Sequence, residues 1–316
     1  MKILANDGIS EKGISLLEKN GFHVLTTTVA QEQLGNFINQ NDVTGLLVRS
    51  ATKVNKQLID ACPRLKLIGR GGVGMDNIDV QYAKMKGIHV INTPAASSLS
   101  VAELVFAHLY GGVRFLYDAN RNMPLEGDSK FKQLKKIYGN GKELAGKTLG
   151  IVGFGRIGQA TAKLALGAGM KVLFYDPLLS EVSLTLSFFD GQSVTFNLTK
   201  TEKEILLKES DFITVHVPAQ KEYVLGKKEF EIMKDGVGII NAARGGVIDE
   251  VALVDALESD KVSFAGMDVY ESEPNPEIRI LMHPKISLTP HIGGATNEAQ
   301  DRIGLELAEQ IISHFK

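Results

Sequence analysis

TLGIVGFGRIGQATAKLALGAGMKVLFYD, residues 148 to 176, runs in the order strand, glycine turn, helix, strand, and closes on an acid. Thr148 to Val152 is a short apolar run of the kind buried in a parallel sheet, and Gly153, Gly155 and Gly158 occupy the three glycine positions of G-x-G-x-x-G. Gly153 permits the tight turn, Gly155 lets the backbone approach a pyrophosphate, and Gly158 lets the helix pack closely on the strand. The unpaired N–H groups of the helix N-terminus then face the anion. The second strand, Lys171 to Tyr175, ends at Asp176, whose carboxylate suits the 2′ and 3′ hydroxyls of a ribose. A 2′-phosphate would be repelled there, and no Arg or Lys follows in Pro177 to Ser180 to receive one, so the expected cofactor is NAD and not NADP.

With 316 residues, 44% of them hydrophobic and 23% charged, the chain is long enough for two ordinary domains. A net charge of −2 with dispersed Lys and Arg points away from nucleic acid and from an anionic membrane surface. The start, MKILANDGIS, lacks a signal-like apolar run, and no stretch reaches the roughly 20 apolar residues of a membrane span, so a cytoplasmic location is expected. Cys62 is the only cysteine; it reads as a small buried hydrophobe near a helix end, and no metal site is expected.

The pattern upstream alternates strand and helix. Strands are expected over 2–5, 23–27, 45–48, 65–69 and 89–92, and helices over 11–20, 31–39, 55–61 and 80–86, making a first α/β unit of about a hundred residues by that periodicity. A second glycine cluster, Gly71-Gly72-Val73-Gly74, fails the dinucleotide pattern because Asn77 stands at the third position and the next strand ends in Asn92-Thr93-Pro94. It reads as a loop offering N–H groups to a smaller ligand. A long apolar helix over 100–116 suggests a subunit contact, and the lysine-rich stretch 122–142 reads as a solvated arm. Beyond Asp176, SLTLSFF-DGQ-SVTFNL alternates as a hairpin. A three-residue loop, Phe189 to Gly191 with Gly191 left-handed, pairs Phe188 with Gln192, Leu186 with Val194 and Leu184 with Phe196, and puts their apolar side chains on one face. Strand and helix then alternate to a final helix over 297–315.

Three residues at strand ends could carry chemistry: Arg244, Glu273 and His291. The planar fork of Arg244, followed by Gly245-Gly246, can hold a carboxylate with two parallel bonds. His291, in TPHIGG, has the exposed and tightly turned setting of a proton carrier, and imidazole with its ordinary pKa of about 6.5 both takes and returns protons near neutrality. Glu273 could hold the other ring nitrogen. Together they meet the needs of a 2-hydroxy acid oxidation: a base for the hydroxyl proton and a cation for the carboxylate, with the hydride passing to the cofactor.

The motifs RSATKV (49–54), GRGGVGMDNID (69–79), GIVGFGRIGQA (150–160), NAARGGVIDE (241–250), GMDVYESEP (266–274) and TPHIGGAT (289–296) follow one another in the order of the D-isomer-specific 2-hydroxyacid dehydrogenases, and the chain resembles that family almost end to end. The resemblance implies two Rossmann-like α/β domains with parallel sheets and a cleft between them. The substrate domain would be discontinuous, residues 1–98 and 289–316, and the NAD-binding domain would be 99–288. It implies that Arg244 binds the substrate carboxylate, His291 is the acid/base and Glu273 its partner. Arg156 and Ile157 would lie at the pyrophosphate, Asp268 near the nicotinamide carboxamide, and Val217, Ala242 and Gly293 would complete the cofactor set. Val73 and Gly74 would offer N–H groups to the carboxylate, beside Arg49, Ser50 and Arg70.

Arg49 and Lys53 stand where related enzymes hold a phosphate, so the expected reaction is oxidation of 3-phospho-D-glycerate to 3-phosphooxypyruvate, leading into serine synthesis. A glyoxylate or hydroxypyruvate reductase would share the Arg, Glu and His and differ at those cations. A corepressor-like protein that senses NAD(H) is the alternative from another class. The family further implies a homodimer through the cofactor domain. Because the chain stops at Lys316, soon after the closing helix, a C-terminal regulatory domain is not expected.

Overall fold

The computed structural model describes residues 1–316, which divide into two compact units: Met1–Ser100 with Gly294–Lys316, and Val101–Gly293. Both are built on wholly parallel sheets. In the first, β1 (Lys2–Ala5), β2 (His23–Leu25), β3 (Gly45–Val48), β4 (Leu67–Arg70) and β5 (His89–Asn92) lie in the order β2-β1-β3-β4-β5. The central strands are largely buried and apolar because both faces are covered by helices. On one face α2 (Gln31–Gln40), α3 (Lys56–Ala61) and α4 (Val80–Met85) cover Leu4, Leu46, Val48 and Ile68. On the other, α1 (Glu11–Lys19) and α13 (Asn297–Phe315) cover Ile3, Ala5, Leu47 and Leu67. Ser10, Asn55, Asp79 and Thr296 start their helices by accepting a backbone N–H, as side-chain caps do. Cys62 closes α3 and is buried in the first of these layers.

The second unit opens with α5 (Ser98–Val113), most of which belongs to it, and continues through α6 (Leu116–Glu126) and α7 (Phe131–Tyr138) to β6 (Thr148–Val152), α8 (Arg156–Gly167) and β7 (Lys171–Tyr175). The hairpin β8 (Glu181–Ser187) and β9 (Ser193–Thr199) precedes α9 (Lys203–Glu209), β10 (Phe212–Val215), α10 (Lys227–Ile232), β11 (Val237–Asn241), α11 (Glu250–Glu258), β12 (Val262–Met267), α12 (Ile278–Leu281) and β13 (Ile286–Leu288). The sheet order is β13-β12-β11-β10-β6-β7, so the strand order reverses between β6 and β10. No single helix is long and apolar enough to cross a membrane.

Two expectations need correction. The lysine-rich stretch is not an unstructured arm: it contributes α7, packed on α6 by the buried Leu134 and by Tyr138, whose hydroxyl donates to Asp118 Oδ2 and accepts from Asn122 Nδ2, both at 2.8 Å. The lysines are its solvated face. The helix expected to reach residue 116 ends at Val113, because Phe115 turns left-handed (φ 56°) and a new helix starts after it. The chain passes from one compact unit to the other at Ser100/Val101 and at Gly293/Gly294, and residues 289 to 293 are hydrogen-bonded around Asp268. The hairpin has the anticipated register, Leu184 opposite Phe196 and Leu186 opposite Val194, with Phe188 N–H on Gln192 O and Gly191 at φ 84°. Only Leu184 of its apolar face is fully buried.

Candidate active site

Open parallel sheets place their ligand sites beyond the carboxyl ends of the strands where the order reverses, and in the second unit that position is the turn after β6. Gly153 has φ 91°, and a Cβ there would sit 2.5 Å from the His216 carbonyl oxygen and 2.8 Å from Val217 Cγ1. Gly158 packs so closely that a Cβ would lie 2.3 Å from the Gly153 carbonyl oxygen. Gly155, by contrast, is the N-cap of α8 and has open space around it, as a backbone that admits a pyrophosphate requires; Arg156 and Ile157 begin the helix. Asp176 follows β7, its two carboxylate oxygens accepting from Phe154 N–H (2.7 Å) and Leu178 N–H (2.8 Å), which fixes the carboxylate beside the turn. His216, partly buried next to this turn, is pushed down to about 3 by desolvation and is therefore neutral. These residues fit a dinucleotide.

Three loops of the same unit carry the chemistry candidates. After β11, buried Asn241 clamps the Arg244 loop: its Nδ2 donates to Arg244 O (3.0 Å) and its Oδ1 accepts from Ala243 N–H (3.1 Å). After β12, Tyr270 N–H donates to Glu273 Oε1 (3.0 Å) and Glu273 Oε2 meets His291 Nδ1 at 2.8 Å. Because a carboxylate only accepts, Nδ1 carries the proton, and Nε2 of the neutral ring holds the lone pair a base needs. After β13, the loop of His291 is wrapped on Asp268. His291 N–H donates to Asp268 O, Ile292 N–H and the Thr289 hydroxyl to Oδ1, and Gly293 N–H to Oδ2, all within 2.7 to 2.8 Å. His291 is held left-handed at φ 53°, a conformation that costs a non-glycine residue about 1–3 kcal/mol and persists where its surroundings impose it. The structure thus brings His291 and Glu273 together, and it ties Asp268, a residue expected at the cofactor, to the backbone of the histidine loop. Ala242 is buried beside Arg244.

The first unit has its own reversal of strand order, between β1 and β3. Asp7, just past β1, holds the loop after β3: Arg49 N–H (2.6 Å) and Thr52 N–H (3.1 Å) donate to Oδ2 and the Thr52 hydroxyl (2.6 Å) to Oδ1. Asn77 Nδ2 closes the loop from the other side on the carbonyls of Arg49 (2.7 Å) and Thr52 (2.6 Å). Lys53 exchanges backbone bonds with the Gln31 amide, leaving its side chain exposed beside exposed Ser50. Gly72, at φ 150°, lies against the Arg70 guanidinium, while Val73 is exposed, its carbonyl held by Asn92, and Gly74 follows. Asp7, Asn77, Asn241 and Asp268 are therefore the residues that shape the loops. In the sequence the first three leave no signal beyond a polar residue at or after a strand end.

Fold and glycine turn define a dinucleotide-binding α/β protein. Residues 106–293 match the family model of the D-isomer specific 2-hydroxyacid dehydrogenase, NAD binding domain. A hydroxypyruvate reductase of Thermotoga maritima is 44% identical over 320 aligned positions, covering 99% of this chain and 98% of that one. A D-3-phosphoglycerate dehydrogenase of Archaeoglobus fulgidus is 39% identical over the whole of this chain, which spans only 58% of its length. Among solved structures, the NAD⁺-bound 3-phosphoglycerate dehydrogenase of Entamoeba histolytica superposes with a TM-score of 0.78 at 28% identity, covering 100% of this chain and 95% of that one. The chain belongs to the D-isomer specific 2-hydroxyacid dehydrogenase family, and its second unit contains the NAD-binding domain.

Proposed function

We propose that the protein oxidises 3-phospho-D-glycerate to 3-phosphooxypyruvate with NAD, in the cytoplasm and as a homodimer paired through the second unit. The observation that carries the substrate is the pair of cations, Arg49 and Lys53, on a loop that Asp7 and Asn77 hold at the strand-order reversal of the first unit. In this reading the first unit contacts substrate and the second holds the dinucleotide. Apolar side chains left exposed on α5 and α6, among them Tyr110 and Leu116, support the pairing.

Bound NAD supplies the carbon that accepts a hydride. Arg244 holds the substrate carboxylate through its fork, so that the C2 hydrogen is presented in one orientation. His291 Nε2 takes the hydroxyl proton as the C2–H bond breaks and the C–O bond becomes a carbonyl. Glu273 keeps the ring oriented through Nδ1 and stabilises the imidazolium that forms. In reduction the same proton returns to the oxygen. Such acid–base assistance is worth about 10²–10⁴ in rate.

A second reading, reduction of hydroxypyruvate, is favoured by the end-to-end match to the Thermotoga maritima relative. The test measures NADH formation from 3-phosphoglycerate, glycerate and lactate, and NADH consumption with hydroxypyruvate and glyoxylate, for the wild type and for Arg49→Ala/Lys53→Ala. Turnover of phosphoglycerate with a KM raised at least about tenfold in the double variant, the loss of one charge-assisted contact, supports the phosphorylated substrate. Activity confined to unphosphorylated acids removes it and leaves the Arg244, Glu273, His291 chemistry in place.

A further inference from the structure

His108, in the middle of α5, is 3% exposed and lies 181 residues before Thr289 of the His291 loop in sequence, yet it joins the hydrogen bonds that hold that loop. Its Nε2 is 3.1 Å from Thr289 Oγ1 and its Nδ1 is 2.9 Å from Ser287 Oγ. The directions of these bonds follow from counting protons. Thr289 has one hydroxyl proton, which goes to Asp268 Oδ1 at 2.7 Å, so toward His108 it can only accept. His108 therefore donates from Nε2, and Nδ1 of the neutral ring accepts from the Ser287 hydroxyl. Burial lowers the imidazole pKa and favours that neutral form. The result is a one-way series from Ser287 through His108 and Thr289 to Asp268, whose carboxylate also binds Ile292 and Gly293 N–H and whose carbonyl binds His291 N–H.

The seat of the ring is fixed. Gly266 of β12 lies against it so closely that a Cβ would fall 2.6 Å from His108 Cβ, and the ring bridges two residues flanking Leu288. An apolar side chain would fill this buried space with no ring nitrogen to satisfy. What the imidazole adds is a rigid donor that stops the Thr289 hydroxyl from turning away from Asp268. The strained backbone of His291 needs such restraint, because a left-handed non-glycine residue relaxes when the bonds imposing it loosen.

We propose that His108 is a positioning residue for His291, acting through Thr289 and Asp268; this rests on the reading of His291 as the acid/base. Misplacing a reacting group by about 1 Å can cost about 10²-fold in rate, so His108→Leu and Thr289→Val are expected to lower kcat by about tenfold or more. The primary deuterium isotope effect, measured with C2-deuterated 3-phospho-D-glycerate or D-glycerate, whichever the wild type oxidises, is expected to rise, because the chemical step becomes slower. That ratio does not depend on how much enzyme is folded. His108→Gln, which keeps an N–H toward Thr289, and Thr289→Ser, which keeps the hydroxyl, should recover most of the rate, and the Leu/Val double variant should be no slower than the slower single one. Wild-type kcat and isotope effect in both Leu and Val variants, or equal losses in His108→Gln and His108→Leu, overturn the proposal. His291→Gln is the companion measurement: if it retains wild-type kcat, the acid/base reading falls and the proposal with it, whereas an inactive His291→Gln beside a fully active His108→Leu and Thr289→Val overturns the positioning role alone. Thr289→Val is nearly isosteric and keeps the test available should His108→Leu not fold.

Discussion

Glu250 and Glu271 exchange hydrogen bonds: Glu271 N–H donates to Glu250 Oε1 at 2.8 Å, and Glu250 N–H donates to Glu271 Oε1 at 3.2 Å. This pairing fixes the start of α11 to the loop that carries Glu273. Burial pushes the Glu250 carboxyl above the ordinary glutamate value of 4.5; the Glu271 N–H opposes the shift and the charges of Glu271, Glu277 and Glu273 add to it. A carboxyl raised on folding stabilises the protein below the ordinary value, and that contribution is lost as pH rises through the raised one. Glu250→Gln keeps an acceptor for Glu271 N–H and removes the titration, so the melting temperature of the variant relative to wild type should climb as pH rises through this window. Parallel melting curves from pH 4 to 7 would show the carboxyl is unperturbed.

Gly245 has no room for a side chain, since a Cβ would lie 1.8 Å from the Tyr270 carbonyl oxygen. Gly245→Ala must push the Arg244 loop away from the loop of Tyr270 and Glu273. Overpacking of this kind costs about 1–3 kcal/mol, and calorimetry should record a lower melting temperature. The kcat/KM for hydroxy acid should fall by at least about tenfold, since positioned groups are lost; unchanged kinetics would separate the two loops functionally.

Asp176→Asn removes the charge expected to repel a 2′-phosphate while keeping a side-chain oxygen beside the glycine turn. The ratio of kcat/KM for NAD over NADP should fall at least about tenfold, the equivalent of 1.4 kcal/mol. An unchanged ratio would place cofactor choice elsewhere.

The hairpin gives a contrast within one element. Leu184 is 2% exposed and packs into the second-unit core, so Leu184→Ala should cost about 2–5 kcal/mol. Phe189, at the loop tip, is fully exposed, and Phe189→Ser should leave stability within about 0.5 kcal/mol. Denaturant unfolding of the two variants measures both.

What the sequence disclosed was governed by period and by sterics. The glycines of residues 153 to 158 are legible because two of them stand where backbone leaves no space for a Cβ, and the hairpin register because a left-handed Gly191 allows only one loop. The helix α7 was obscured by Phe131 and Ile137, which are exposed and blur its apolar face, and by a single buried leucine. Asp7, Asn241 and Asp268 act on main-chain groups, some of them tens of residues away, and such bonds impose no pattern on neighbouring residue types. The short β13 and α12 had too few residues to show a period. His108 sits in an apolar helix like any core residue, and its partners Ser287 and Thr289 lie 179 and 181 residues away in sequence.

The first unit is interrupted by the second and finished by α13, where Ile303, Leu307 and Ile311 cover one face of β1, β3 and β4. During synthesis the ribosome releases all strands of the second unit before that helix exists, so the nucleotide half can complete its core while one face of the other sheet is covered by α1 alone. Residues Gly294 to Lys316 therefore reach the first hundred residues only after the intervening unit has been made, and that half of the fold waits for them.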